Sequence, residues 1–232
     1  MLEGLSLFFP CHNEESNVEK VIQDALRVAP QVASKYEVII VDDGSTDRTS
    51  DIVQRFSPAG VRWVRHKRCL GYGAAVRSGL YAARYPWVFF SDGDGQFDLE
   101  EIPRLAELST RADIISGTRV RRADPWHRVL NARLFELALR ALFGLRIRDV
   151  NCAFKLFRRD LFDRITLKST GAMINAEIFL KAQHLGNRFA FLPVSHRPRG
   201  AGRQSGAHPT VIFKAMREFL SLWRDVRGAH GS

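Results

Sequence analysis

Residues 89 to 98 read FFSDGDGQFD. An apolar run ends and oxygen-bearing side chains crowd together: Asp92, Asp94, Gln96 and Asp98, spaced by glycine at 93 and 95. Carboxylates this close repel unless a cation or a set of donors compensates them. One candidate is a calcium loop starting at Phe90, which would place Asp92, Asp94, Gly95 and Glu101 at its third, fifth, sixth and twelfth positions. Phe90 has no side-chain oxygen, however, and the preceding PWVFF is strand-like rather than an entering helix. A better match is a D-x-D metal site at a strand end, where one of Asp92 and Asp94 holds a divalent ion, the other orients its waters or a ribose, and Gln96 adds a carbonyl. Magnesium is commonly shared between one or two carboxylates and substrate phosphates. The ordinary structural alternative is a solvated turn that caps the helix beginning at Leu99.

A second acidic pair, Asp42-Asp43-Gly44-Ser45, closes another apolar run, EVIIV. One capping carboxylate would suffice for a strand-to-helix turn. The other is left to accept hydrogen bonds from a base or a ribose, with His12, Asn13 and Glu14 offering similar groups. Gly71-Tyr72-Gly73 imitates a dinucleotide-binding fingerprint, but Val76 replaces the third glycine and the loop follows the third strand. These glycines read as places of close packing or ligand approach. Arginines gather in the second half, among them Arg119, Arg128, Arg197 and Arg203. Most belong to a solvated basic face, yet guanidinium is the preferred clamp for phosphate.

The elements that must position these groups alternate. Strands are expected at Leu5–Pro10, Glu37–Val41, Val61–Val64, Trp87–Ser91 and Asp113–Ser116. Helices are expected from a capping box at Ser16–Glu19, from about Thr46, over Gly73–Arg84 and over Leu99–Ser109. Such a pattern builds an α/β fold, an open, mainly parallel sheet flanked by helices. Ligands of such sheets bind at the carboxyl ends of the strands, where the polar motifs all fall. The second half is less regular: a helix over Trp126–Phe143, a strand with its approach loop over Asp149–Phe157, a helix over Asn175–Leu185, a strand over Phe189–Val194, a Gly/Arg/His-rich loop, and an amphipathic helix over Thr210–Val226. No repeat or linker divides the chain, so one domain is expected, with a nucleotide-binding half (about 1–119), an acceptor half (about 120–208) and the terminal helix (209–232).

Composition narrows the partners. The 232 residues carry a formal charge of +10, which favours an anionic partner. A nucleic acid is the less favoured one, because no recognition module is present and aromatics are not interleaved with the basic residues. Three scattered cysteines, without a CxxC pair, suit a reducing compartment. Neither a signal peptide nor an apolar run near the ~18 residues of a membrane span is expected, so the chain reads as cytoplasmic, soluble or peripheral on a membrane.

Taken in order, FFPCHNEE, VIIVDDGSTDRT, GYGAAVRSGL, FFSDGDGQFD, ISGTR, DVNCAFKLFRRDLF and VSHRPRGAGRQS resemble the motifs of family 2 glycosyltransferases of GT-A fold, particularly the polyprenyl-phosphate subgroup. The resemblance implies an inverting, metal-dependent transferase moving a sugar from a nucleoside-diphosphate sugar (a UDP- or GDP-sugar) to a polyprenyl or dolichyl phosphate. Transfer to a hydroxyl, and a catalytically weak nucleotide-binding relative, stay open. It implies that Pro10, His12 and Glu14 line the nucleotide pocket and that Asp42, with its neighbour Asp43, lies near the base. Asp92, Asp94 and Gln96 would form the metal site, with Asp94 indispensable for transfer. Arg119 and Arg128 would hold the acceptor phosphate, and Asp149 would be an active-site aspartate, the candidate base for a hydroxyl acceptor. Arg203 and Ser205 would belong to a mobile loop near the diphosphate. Apart from the resemblance, the basic amphipathic terminal helix could pack on the sheet or on a partner, a membrane protein among them, or lie on an anionic membrane surface where a polyprenyl acceptor would be found. The chain departs from the pattern at Gly93, often alanine in relatives, at Ala153 in place of glycine, and at GRQSG, where a Ser-Lys pair is common.

Overall fold

A computed structural model describes residues 1–120, 126–145, 147–198 and 218–219. The chain order is β1 (Leu5–Cys11), α1 (Val18–Val32), β2 (Tyr36–Asp42), α2 (Thr49–Arg55), β3 (Arg62–Arg65), α3 (Tyr72–Ala82), β4 (Trp87–Ser91), α4 (Ile102–Ala106), β5 (Ile114–Arg119), α5 (Trp126–Phe143), β6 (Phe154–Arg158), α6 (Leu161–Arg164), α7 (Met173–His184) and β7 (Phe189–Val194). Their strands form one mixed, mostly parallel seven-stranded sheet in the order β3-β2-β1-β4-β6-β5-β7.

The physical basis is the one the apolar runs suggest. All seven residues of β1 and all five of β4 are buried, which fits strands covered on both faces. Helix α1 turns Val18, Val21, Ile22, Ala25, Val28, Ala29 and Val32 to the sheet. Phe8 stacks on Phe90 at 5.3 Å, and Phe89 meets Phe154 edge-on at 4.9 Å, so aromatic contacts join β1, β4 and β6.

Strand β6 alone runs against its neighbours, antiparallel to both β4 and β5. The apolar run AFKLF carries no sign of its direction. The reversal has a consequence for the site: Ser91, the last residue of β4, pairs with Phe154, the first residue of β6. The turn before β6, with Asp149 and Cys152, therefore reaches the same edge as the carboxyl ends of the parallel strands.

Other boundaries move. The expected helix over Leu99–Ser109 is broken into a 3-10 turn, the short α4 and a second 3-10 turn. Its only proline, Pro103, falls in the first turn of α4, where the missing N–H costs least. The capping box does not form: Asn17, not Ser16, precedes α1, and it makes no side-chain cap. Strand β5 extends to Arg119 because Gly117, Thr118 and Arg119 continue the pairing with β7. Of the expected terminal helix only 218 and 219 are described. Glu218 accepts hydrogen bonds from the Thr170 and Gly171 N–H groups, and Phe219 packs on Phe135 and Phe143 of α5.

Candidate active site

Cys11, Asp42, Ser91 and Arg119 are the last residues of β1, β2, β4 and β5, so the polar motifs meet at one sheet edge. The loops after β1 and β2 are laced together there. The Asn13 N–H donates to Ser45 Oγ (3.0 Å), the Thr46 N–H to Asn13 Oδ1 (2.8 Å), and the Glu14 N–H to Thr49 Oγ1 (2.8 Å). Asn13 holds a left-handed φ of 56°, which asparagine tolerates better than most residues. His12 Nδ1 lies 2.8 Å from the Asp43 carbonyl, and Glu14 accepts from Asn17 Nδ2 at 2.7 Å. Pro10 is buried, and its carbonyl accepts from the Gly93 N–H at 3.2 Å.

The two acidic pairs differ in kind. Asp42 is fully buried; its oxygens accept from the Ser45 N–H (2.8 Å) and the Ser50 hydroxyl (2.5 Å). Asp43 binds the loop between β3 and α3, taking the Leu70 and Gly71 N–H groups (both 2.8 Å) and the Cys69 thiol (3.3 Å), with His66 Nδ1 at 2.6 Å. Burial pushes its carboxyl up, but these hydrogen bonds together hold it below the ordinary carboxylate range.

Asp92 has no such settlement. Its Oδ1 is buried and without a hydrogen-bond partner, and its carboxyl is pushed up to about 7, first by burial and then by Asp94 beside it. Helix capping, the ordinary role for this acidic stretch, falls to Asp98, which accepts from the Glu100 N–H (3.2 Å) and pairs with Arg197 (2.6 Å). Asp94 accepts from the Gln96 N–H at 3.1 Å, and Gln96 Nε2 donates to the Arg197 carbonyl at 2.9 Å, tying the motif to the segment after β7. Phe90 lies within β4 with its side chain buried, which leaves no calcium loop. Among the described residues, no three His, Cys, Asp or Glu side chains form a metal cluster. A buried, unpartnered carboxylate oxygen next to a second carboxylate nonetheless suits a hard divalent cation that takes its other ligands from a bound phosphate.

Gly93 has a local cause. A Cβ there would lie 2.2 Å from Cys11 Sγ and 3.0 Å from the Pro10 carbonyl oxygen. The sulfur of Cys11 fills the space an alanine methyl would need, which accounts for glycine in the spacer. Gly73 is likewise a packing glycine: its Cβ would meet the Gly171 carbonyl oxygen at 2.6 Å.

On the acceptor side, Asp149 and Arg119 face each other. Arg119 Nε and Nη2 donate to Asp149 Oδ2 and Oδ1 at 2.9 and 2.6 Å, and the Arg119 N–H adds a third bond at 2.9 Å. Asp149 takes a left-handed φ of 52°, and its N–H donates to Glu136 of α5 at 2.8 Å. Arg128 lies near the start of α5, and its side chain is outside the described residues, as are Arg203 and Ser205.

Lys155 is the residue that the sequence reading passed over. It is 1% exposed and donates to the Cys152 carbonyl and, at 3.0 Å, to Asn175 Oδ1. Its ammonium lies 5.5 Å from the centre of the Phe90 ring and 5.6 Å from that of Phe179. Burial pulls its pKa down to about 8. The signal was a lone charge within AFKLF, a run whose apolar neighbours on both faces force the lysine inside.

The family model described as glycosyl transferase family 2 matches residues 6–166. An undecaprenyl-phosphate 4-deoxy-4-formamido-L-arabinose transferase of Aeromonas hydrophila is 28% identical over 205 residues, covering 85% of this chain and 61% of the relative. A Pseudomonas aeruginosa protein of the same name is 29% identical, covering 70% of this chain and 49% of the relative. The chain thus spans about half to three fifths of the length of these curated relatives. An uncharacterized glycosyltransferase of Mycobacterium bovis is 29% identical and covers 87% of this chain and 88% of the relative. Among solved structures, glucosyl-3-phosphoglycerate synthase from Mycobacterium tuberculosis, in complex with Mn2+, UDP-glucose and phosphoglyceric acid, has a TM-score of 0.74 at 22% identity, over 95% of this chain and 80% of that one. That likeness is one of fold.

Proposed function

The chain belongs to glycosyl transferase family 2, and from that premise we propose that it transfers a sugar from a nucleoside-diphosphate sugar to a polyprenyl phosphate, with inversion and with a divalent metal. The observation that carries this reading is the partnerless, buried Oδ1 of Asp92 beside Asp94 at the carboxyl end of β4. Asp92 and Asp94 would hold Mg2+ or Mn2+, with the buried Gln96 fixing the turn that carries them. When bound, the metal would neutralise charge on the leaving diphosphate.

The remaining roles belong to the chain. Pro10, His12 and Glu14 lie on the laced loops that would wall the nucleotide pocket. Asp42 and Asp43, whose oxygens are taken by protein donors, would shape that pocket rather than bind the base through a free carboxylate. Arg203 and Ser205 would close on the diphosphate. Arg119 would position the acceptor phosphate together with Arg128. The side-on grip of Asp149 engages two of the five N–H groups of a guanidinium, so Asp149 orients Arg119 as a brace.

This bracing also favours a phosphate acceptor over a hydroxyl. A hydroxyl nucleophile needs a general base, and both Asp149 oxygens already accept hydrogen bonds from a cation. A lipid phosphate arrives as an anion and needs none. The names of the undecaprenyl-phosphate relatives support the same acceptor. No helix among the described residues is long and apolar enough to cross a membrane. Contact with the lipid acceptor at a membrane surface or through a membrane-protein partner is part of the proposal.

The test is a panel of UDP- and GDP-sugars with Mg2+ or Mn2+ and a short-chain polyprenyl phosphate, read by mass spectrometry. One donor should yield a glycosyl phosphate lipid, and Asp94→Ala should lower the rate by about a thousandfold, the scale of several kcal/mol of charge stabilisation. Full activity of Asp94→Ala in EDTA would sink the scheme. Product formed only on hydroxyl acceptors would move Asp149 back to the role of base.

A further inference from the structure

We propose that the outward face of α5 docks on an anionic membrane surface, laying Leu130, Leu134 and Leu137 into the boundary between headgroups and acyl chains. The proposal rests on the reading of the acceptor as a lipid phosphate, and it names the surface by which the chain would meet that lipid.

Helix α5 carries two apolar stripes on opposite sides, where a surface helix of a globular protein needs only one. The inner stripe is Phe135, Leu139 and Phe143. Leu139 is fully buried, and the two phenylalanines pack against the core. At the helical pitch of about 3.6 residues per turn, Leu130, Leu134 and Leu137 fall within an arc of roughly 60° on the other side. They are 47%, 55% and 61% exposed. A single exposed leucine is ordinary. Three on one face, spaced i, i+4 and i+7, form the kind of stripe that a helix buries against something apolar. Ala141 continues the stripe by another turn, and it is exposed as well.

The charges on that face select the occupant. Arg133 and Arg140, two turns apart, flank the leucines on one side, and both are exposed. The only acid between 130 and 141 is Glu136, which lies away from the stripe and accepts from the Asp149 N–H at 2.8 Å. A second copy of the chain would set these arginines against their own counterparts across a two-fold axis, on a chain that already carries +10. A protein partner fits less well, since such interfaces are anchored by aromatic residues, and the outward stripe from 130 to 141 holds none. The terminal segment, where it is described, covers the other side: Phe219 packs on Phe135 and Phe143 of the inner stripe. Leucines flanked by arginines match an anionic leaflet. The aliphatic groups enter the boundary, and the guanidinium groups meet lipid phosphates.

The placement also suits the reaction. Glu136 ties α5 to Asp149, and Asp149 grips Arg119 side-on. The helix that would rest on the leaflet is thus bonded, through one residue, to the brace of the arginine proposed to hold the acceptor phosphate. A polyprenyl phosphate keeps its tail among the acyl chains and its phosphate at the headgroups, so docking by α5 would govern how Arg119 meets it.

The experiment is flotation of the full chain with protein-free vesicles, without donor or acceptor. Vesicles of phosphatidylglycerol and phosphatidylcholine in equal parts should carry the parent, and vesicles of phosphatidylcholine alone should carry far less. Leu134→Glu combined with Leu137→Glu should lower partition onto the anionic vesicles by about tenfold or more. Glutamate is nearly as good a helix former as leucine, so melting temperature should be unchanged, as should transfer to a short-chain polyprenyl phosphate. Arg133→Gln should lower partition by about fivefold, the worth of one basic residue near such a surface, and should weaken its salt dependence. A parent that does not float with anionic vesicles overturns the proposal and leaves the face to a protein partner. A doubly substituted variant that floats like the parent also overturns it, because the membrane contact then lies elsewhere. A fall of several degrees in that variant's melting temperature would put the stripe against the chain itself, and a dimeric parent that the two changes make monomeric would put it against a second copy; either result overturns the proposal. The two levels of inference separate cleanly. Product formed only on hydroxyl acceptors, with flotation as expected, defeats the lipid-phosphate reading and leaves the docking surface. Intact transfer to the short-chain lipid, with flotation unaffected by the two glutamates, defeats the surface alone.

Discussion

The loop after β2 and the loop after β4 carry similar sequences, DDGS and DGDG, and use their carboxylates in opposite ways. After β2 the acceptors are filled: Asp42 by Ser45 and Ser50, Asp43 by Leu70, Gly71, Cys69 and His66. After β4 one oxygen of Asp92 is buried with nothing to accept from. An unsatisfied buried polar atom costs roughly 1–3 kcal/mol, and this fold carries that cost at the mouth of its sheet, where the proposed metal would relieve it. Acidic residues at strand ends are therefore not interchangeable. Those with donors hold loops, and Asp92 keeps a buried oxygen that no donor satisfies.

The broadest way to break this contrast is to neutralise each acid in turn. Asp92→Asn should abolish metal-dependent transfer, a loss of about a thousandfold or more, while leaving thermal stability of the metal-free protein unchanged or raised, since it removes a buried carboxylate from beside Asp94. Asp43→Asn should do the reverse. It keeps an acceptor oxygen but loses charge-assisted bonds from two backbone N–H groups and His66, for about 2–3 kcal/mol of stability, and its transfer rate should fall far less than that of Asp92→Asn. Parallel thermal melts and rate measurements decide it. If Asp92→Asn unfolds while Asp43→Asn loses only activity, the roles assigned to the two loops are exchanged.

Acid sharpens the same comparison. Asp43 has a folded pKa below its unfolded value, because its hydrogen bonds outweigh burial. It therefore binds a proton more readily in the unfolded chain, and its stabilisation is complete above the ordinary carboxylate pKa of about 4. That contribution is lost as pH falls through the lower folded value. Denaturant melts from pH 6 downward should show stability dropping more steeply in the parent than in Asp43→Asn. Equal slopes would mean that Asp43 does not titrate as a clamped carboxylate.

How much of this could be read from the residues depends on what kind of information each feature needs. The strands EVIIV and WVFF were legible because burial on both faces makes them continuously apolar. The meeting of the motifs at one edge followed from the alternation of strand and helix. The direction of β6 did not, since an apolar run reads the same both ways, and with it went the contact of Asp149 with Arg119. The expected helix from Leu99 broke before Ile102 and after Ala106, with Pro103 inside the short α4, and the capping box at Ser16 lost to the lacing of the neighbouring loops. Site residues were legible as types but not as partners: DDGS does not reveal that both of its acids are spoken for. Lys155 was visible as a misplaced charge in AFKLF, whereas its register with Phe90 and its contact with Asn175 came only with the structure.

The smallest expected effect concerns the spacer between Asp92 and Asp94. Gly93→Ala places a methyl 2.2 Å from Cys11 Sγ and 3.0 Å from the Pro10 carbonyl oxygen. Overpacking of this kind costs about 1–3 kcal/mol, and here the strain would fall on the backbone that aims Asp92 and Asp94. The Cys11 thiol is buried, and burial followed by the nearby carboxylates raises its pKa well above the usual thiol value, so it acts as a space-filler rather than a nucleophile. Cys11→Ala would remove the closest obstacle and leave Cβ, which lies at an ordinary 3.6 Å from the new methyl. The variant carrying both changes should therefore recover most of the stability and Mn2+ affinity lost by Gly93→Ala alone, short of the residue owed to Pro10. A double-mutant cycle measures it: a coupling of about 1 kcal/mol or more supports the exchange of a sulfur for a methyl. Simple additivity would mean that Gly93 is kept for its backbone and not for the space beside Cys11.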